Sequence, residues 1–232
     1  MTALRSAHQS QEDQDRWTVT LGDVFKAQGD LARAEQCFRG EACYGETPSS
    51  PQALNGKVLP VAVLNFVLLR VDEGHAEDME QVARQEVARV SGKNSDSDDR
   101  AAALSALAQV LVSEGGKLKL QEAYKVVQRA NVDVQDCRTK MALTIIGGRV
   151  LAHSDPKGAR EQLSSAKQQA ERLGLLGQKF DAEFALAETD ILAGDLSAGR
   201  QKASELANSA HAAGFVLVEA KASELARRLV SR

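Results

Sequence analysis

The chain has 232 residues, 43% of them hydrophobic and 26% charged, enough apolar material to bury a substantial core. Its 29 lysines and arginines against 32 acids leave a formal charge of −3, which gives no general pull toward nucleic-acid phosphates and sets DNA binding aside. Aromatic residues make up only 4% and four residues are proline, while alanine, leucine, glutamine, glutamate and lysine dominate, so helices are favoured over a β-sandwich or barrel.

Met1 to Asp15 carry charges and glutamines where a secretory signal needs an apolar stretch, and residues 1–10 are expected to be a flexible N-terminus. No run of 18 apolar residues occurs. The most apolar run, Val58 to Leu69, contains Pro60 and Asn65 and stops at Arg70, which suits a buried helix and not a bilayer span. Cys37, Cys43 and Cys137 lack CxxC spacing and nearby histidines. The expectation is reduced thiols in a cytoplasm, no metal site and no cofactor.

From residue 11 onward apolar residues recur at helical spacing, broken by short turns of Gly, Asp, Asn, Ser or Pro. The first pair joins helices over 11–28 and 30–43 across Gly29-Asp30, where the glycine can take positive φ and the aspartate can cap the next helix. Residues 44–51 break the pattern. A second pair covers 51–73 and 75–91 around Gly74, with Pro60 either kinking its first helix or beginning its main segment.

A third pair, 98–114 and 118–130, turns at Gly115-Gly116, and a fourth, 133–153 and 156–173, is capped by Ser154 or Asp155. The fifth, 178–193 and 196–213, turns at Gly194-Asp195, and a last amphipathic helix covers 215–230. Ala34, Ala123, Ala159 and Gly199 are each the small residue soon after a turn, separated by 89, 36 and 40 residues. Periods of this size signify stacked helical repeats, with room for one more pair in the longest gap. The expected fold is an all-α, right-handed α-solenoid of about five antiparallel helix pairs plus a C-terminal capping helix, one domain over 11–232.

In the first pair Leu21-Gly22, Phe25, Gly29-Asp30-Leu31, Ala34 and Phe38 reproduce the large-and-small pattern of a tetratricopeptide repeat, which the chain resembles over residues 11–213. Trp17 falls one residue early. Later pairs keep pieces of the pattern, among them Ala108, Leu111, Ala123 and Val127, then Gly147, Ala159 and Leu163, then Ala187, Leu196 and Gly199. The stretches Ala170 to Gly174, Phe180 to Glu188 and Ala213 to Phe215 are also similar to repeat regions of bacterial signalling proteins. That resemblance implies two functions: a non-enzymatic adaptor for a partner protein, or a regulatory or sensor module of a signalling or transcription-control system.

Glycine inside an exposed helix costs about 1 kcal/mol relative to alanine, so Gly22, Gly147 and Gly199 require close backbone approach or a helix end. A terminal repeat needs a lid. Phe215, Val218, Ala222, Leu225 and Leu229 share one face of the last helix, with Lys221, Glu224, Arg227 and Arg228 facing water, as a lid or a partner-binding helix requires.

First helices of stacked pairs commonly line the inner curve of such an array. Val61, Leu64, Leu68 and Val71 from the second pair, with Met141, Thr144 and Leu151 from the fourth, are the expected groove for a partner's peptide or amphipathic helix. The alternative for each is packing between repeats. The Lys/Asn/Arg set by which some tetratricopeptide domains hold a terminal carboxylate is absent, since Val19 and Asp23 occupy the first-pair positions.

No catalytic residue is assigned. His8, His75, His153 and His211 are scattered, and neither HExxH nor GxSxG occurs. Asn94 to Asp99 offers oxygens at alternating positions, but Ser105 stands where a calcium loop needs glutamate, so a helix capped at Ser97 explains it better. Gly115-Gly116-Lys117 lacks P-loop spacing. Lys117, Lys119, Lys125 and Arg129 read as part of a mixed solvated face, and neither nucleic acid nor membrane is an expected partner.

Overall fold

The turn at Gly29-Asp30 sets the pattern for the molecule. Gly29 takes φ +77°, where a side chain would be strained, and its N–H and that of Asp30 close the end of the first helix on Lys26 and Phe25. The Asp30 carboxylate then accepts from the Arg33 N–H at 3.2 Å and starts the second helix. The same carboxylate cap recurs at Asp136, Asp155 and Asp195.

A computed structural model describes residues 11–39, 60–92, 96–132 and 134–228. Within them are eleven α-helices and no strand. They are α1 Gln11–Ala27, α2 Leu31–Phe38, α3 Pro60–Asp72, α4 Ala76–Arg89, α5 Ser97–Glu114, α6 Lys117–Ala130, α7 Cys137–Leu151, α8 Pro156–Arg172, α9 Leu176–Leu192, α10 Leu196–Ala212 and α11 Val216–Arg228. These are the five expected pairs and the final helix. The helix ends expected beyond residues 39 and 228 and before residue 60 lie outside the described residues.

Most helix starts fall within two residues of expectation, and the start of α7 falls four residues late. Asp96, not Ser97, caps α5: its carboxylate accepts from the Asp98 N–H at 2.8 Å, and Ser97 is already the first residue of the helix. Helix α7 begins at Cys137 and not 133, because Asp98 reaches from α5 and accepts from the N–H groups of Gln135 and Asp136 at 2.8 and 3.0 Å, holding that strip out of the helix. Helix α9 starts at Leu176, two residues early.

Neighbours pack in series. Each first helix lies against its own second helix, and the first helices α1, α3, α5, α7 and α9 also touch one another in order. The chain therefore forms an all-α solenoid with its first helices along one wall. The apolar interior is correspondingly a string of clusters: Val19, Ala34, Phe38, Ala62 and Leu69 at the start, and Phe180, Leu206, Ala210 and Ala222 at the end. Between them α5 is buried nearly all round, through Ala103, Leu107, Val110 and Leu111.

Small residues sit where helices come closest. A Cβ on Gly22 would lie 2.4 Å from Phe38 Cε1, and one on Gly199 would lie 2.6 Å from Ile191 Cγ1. In the fourth pair the residue is Gly148, whose Cβ would lie 2.6 Å from Leu163 Cδ2, whereas one on Gly147 would meet the flexible end of Gln162 at 3.2 Å and Val127 Cγ1 at an ordinary 3.6 Å. One residue rotates a helix by about 100°, which is why the spacing pointed to the wrong member of the Gly-Gly pair.

The last helix acts as a lid. Ala222 is fully buried with Phe215 and Val218 against Phe180 and Phe184, and the Phe180 and Phe215 rings meet edge to face at 5.2 Å. Leu229 lies outside the described residues. Cys137 is free and exposed, but Cys37 is buried and disulfide-bonded, so the expectation of three reduced thiols fails. Pairing depends on two sulfurs approaching in space, which spacing along the chain does not report. No helix among the described residues is long and apolar enough to cross a membrane.

Candidate functional site

The inner wall carries charge where an apolar groove was expected. Lys26 comes from the last turn of α1, Asp72 from the end of α3 and Lys221 from the middle of α11. Asp72 accepts from both ammoniums at 2.6 Å, one on each carboxylate oxygen. Burial alone would raise the Asp72 carboxyl, but the charges and hydrogen bonds of Lys26 and Lys221 outweigh it and hold it at about 2. For Lys26 burial works against the charge, and Asp72 overcomes it and raises the ammonium.

Lys221 was expected to face water. It instead turns inward, its ammonium 5.3 Å from the centre of the Phe184 ring as well as on Asp72. Its long apolar stem lets a residue on the edge of the packed face of α11 reach across to α3.

Two more carboxylates share this space. Asp23 of α1 accepts from Asn65 Nδ2 of α3 at 3.0 Å, and its carboxyl is raised by burial, which Lys26 and Arg138 only partly offset. Asp181 of α9 makes no hydrogen bond or ion pair among the described residues. Burial raises its carboxyl, Lys221 opposes this, and the Asp72 charge adds to it. Both side chains are open to solvent by area, yet protein crowds them. Arg149 of α7 and Glu188 of α9 meet through Nε–Oε2 at 3.0 Å and Nη2–Oε1 at 3.3 Å on neighbouring first helices.

The expected groove residues occupy other places. Leu64 and Val71 are 4% and 8% exposed inside the core shared by α3 to α7, and Met141 is 3% exposed in the core of α7 to α9. Leu68 packs partly buried on the first of these cores. Thr144 and Leu151 are half-buried, and the side chain of Val61 lies outside the described residues. The structure does not gather the seven into one exposed strip; the buried ones are taken up by packing between repeats.

The remaining polar positions serve architecture. Asp190 is 3% exposed and accepts from Arg160 of α8 and Lys202 of α10; burial opposes its charge, and these two partners hold its carboxyl low. Lys119 of α6 joins Glu80 of α4 to Glu114 of α5. Among the described residues no group of three or more His, Cys, Asp or Glu is placed to hold a metal ion. Asn94 and Ser95 of the oxygen-rich loop lie outside them.

No family model matches the chain, and no curated protein matches it.

Proposed function

We propose that the chain is a non-enzymatic scaffold or adaptor of tetratricopeptide type that docks a peptide or helix of another protein on its curved inner wall. The observation behind this reading is Asp181, a carboxylate on the wall that burial and the Asp72 charge raise, that Lys221 offsets only in part, and that makes no ion pair or hydrogen bond among the described residues. A charge kept in that condition costs stability, which is the mark of a group reserved for an incoming partner. A lysine or arginine on the docking segment is its complement, with Asp23 beside it and Phe184 supplying an apolar contact. The tetratricopeptide label rests on the Gly22–Phe38 contact and the Gly-Asp turns.

The test begins with affinity capture from the native cell and identification of the partner by mass spectrometry. Calorimetry with the purified partner should then show that Asp181→Asn with Asp23→Asn weakens binding about tenfold or more, the loss expected for a charge-assisted contact. Arg200→Ala with Gln201→Ala, on the outer helix α10, should leave it unchanged. Binding insensitive to the inner pair and lost in the outer pair would refute the reading.

A further inference from the structure

The two ends of the solenoid meet. Helix α1 touches α11, and a Cβ on Gly29 would lie 2.9 Å from Val216 Cγ1, so the first turn of the chain abuts the start of its last helix. The apolar part of this junction is small. Val216 remains 46% exposed, and neither Gly29 nor Val216 belongs to a core cluster. What spans the junction is the three-membered bridge in which one carboxylate, Asp72, takes a lysine from each terminal helix at 2.6 Å.

We propose that Asp72 is a latch that closes the solenoid into a circuit, and that breaking its bridge to Lys221 parts α11 from α1 and opens the inner wall sideways. The geometry favours a hinged joint over a fixed one. Elsewhere neighbouring pairs are joined by buried apolar clusters that run continuously through α3 to α7, whereas α1 and α11 share an ion bridge. Interfaces of that polar kind are the ones along which packed units separate. Among the described residues Asp72 is the one carboxylate that both Lys26 and Lys221 bond, so removing it leaves the two ammoniums at the seam with only the more distant charges of Asp23 and Asp181 to offset them. Opening would admit a folded helix that the closed circuit admits only from its mouths. The purpose of the latch rests on the docking surface proposed above; the latch itself is measured with no partner present.

The experiment is single-molecule energy transfer on the full chain, with donor and acceptor attached through unnatural amino acids at the exposed positions Gln28 of the α1 turn and Ser223 of α11. The unaltered sequence should give one population of high transfer efficiency. Asp72→Asn should add or substitute a population of lower efficiency, and Lys221→Met, which leaves Asp72 paired with Lys26, should do the same with unchanged helical circular dichroism. High salt should shift the unaltered chain in the same direction. If Asp72→Asn unfolds the chain, Lys221→Met decides the matter alone. An efficiency distribution in Lys221→Met identical to that of the unaltered chain, at both salt concentrations, would overturn the latch. Loss of partner binding without any change in transfer would count against the latch and not against the docking wall.

Discussion

Asp72 and Lys221 stand 149 residues apart in the chain and 2.6 Å apart in space. The contact ties the third helix to the last, and with Lys26 it makes one carboxylate the meeting point of the beginning, the second pair and the end of the array.

Acid should release this junction. The Asp72 carboxyl lies at about 2 against an ordinary value of 3.8, and because it is depressed in the folded state its contribution is complete above pH about 4 and disappears as pH falls toward 2. The shift corresponds to about 2 kcal/mol. Urea unfolding should show the unaltered chain more stable than Asp72→Asn by at least about that amount at pH 7, the gap closing between pH 4 and 2. A gap independent of pH would place the effect of the substitution elsewhere.

Gly22 should tolerate no side chain. Gly22→Ala drives a methyl group to 2.4 Å from Phe38 Cε1, and overpacking of this sort costs roughly 1–3 kcal/mol. Trimming the ring with Phe38→Leu in the same chain should recover part of the loss, a coupling that a double-mutant cycle measures. Gly177→Ala, where nothing lies within 4 Å of the added carbon, should instead raise stability by up to about 1 kcal/mol.

Ala34 is fully buried between Val19 and Phe38. Ala34→Arg should destabilise the first pair by several kcal/mol, about 3 or more, since it forces both volume and an unpaired charge into that cluster. Thermal unfolding followed by circular dichroism checks it, and an unchanged melting temperature would mean the packing face of α2 is misassigned.

Asp190 binds Arg160 and Lys202 from the helices on either side while itself 3% exposed. Asp190→Ala removes the shared partner of Arg160 and Lys202, whose side chains are 37% and 41% exposed and can turn to water, and should cost about 1–2 kcal/mol. Asp181→Asn should go the other way, raising the melting temperature slightly, by roughly 1–2 °C, because it removes a carboxylate that burial and the Asp72 charge disfavour more than its neighbouring cations favour it. A stabilised variant with weakened partner binding would be the signature of a functional group held at a cost.

The hairpins were legible in the sequence because their determinants are local. Gly29-Asp30 and Gly194-Asp195 each contain both the glycine that ends one helix and the carboxylate that starts the next, so the turn and its cap can be read within a few residues. The inner wall was not legible, for a reason visible in α3. Leu64 and Val71 looked like an apolar stripe and are core, because the first helices are covered on several sides and little apolar surface is left over. Which face points inward depends on the rotation between successive pairs, and a period in one helix does not encode it. Nor did the charges announce themselves, since Asp72 stands beside Glu73 near Arg70 and Asp181 stands between Lys179 and Glu183, as on any solvated face. Lys221 was misplaced for the same reason, since its inward turn is dictated by a carboxylate 149 residues away.

Amide hydrogen exchange of the full chain, alone and bound to its captured partner, tests the inner wall as a docking surface most directly. Protection is expected in peptides covering α1, α9 and α11, around Asp23, Asp181 and Lys221, with α4, α6 and α10 unchanged. Protection confined to those outer second helices, and none on α1, α9 or α11, would contradict docking on the inner wall.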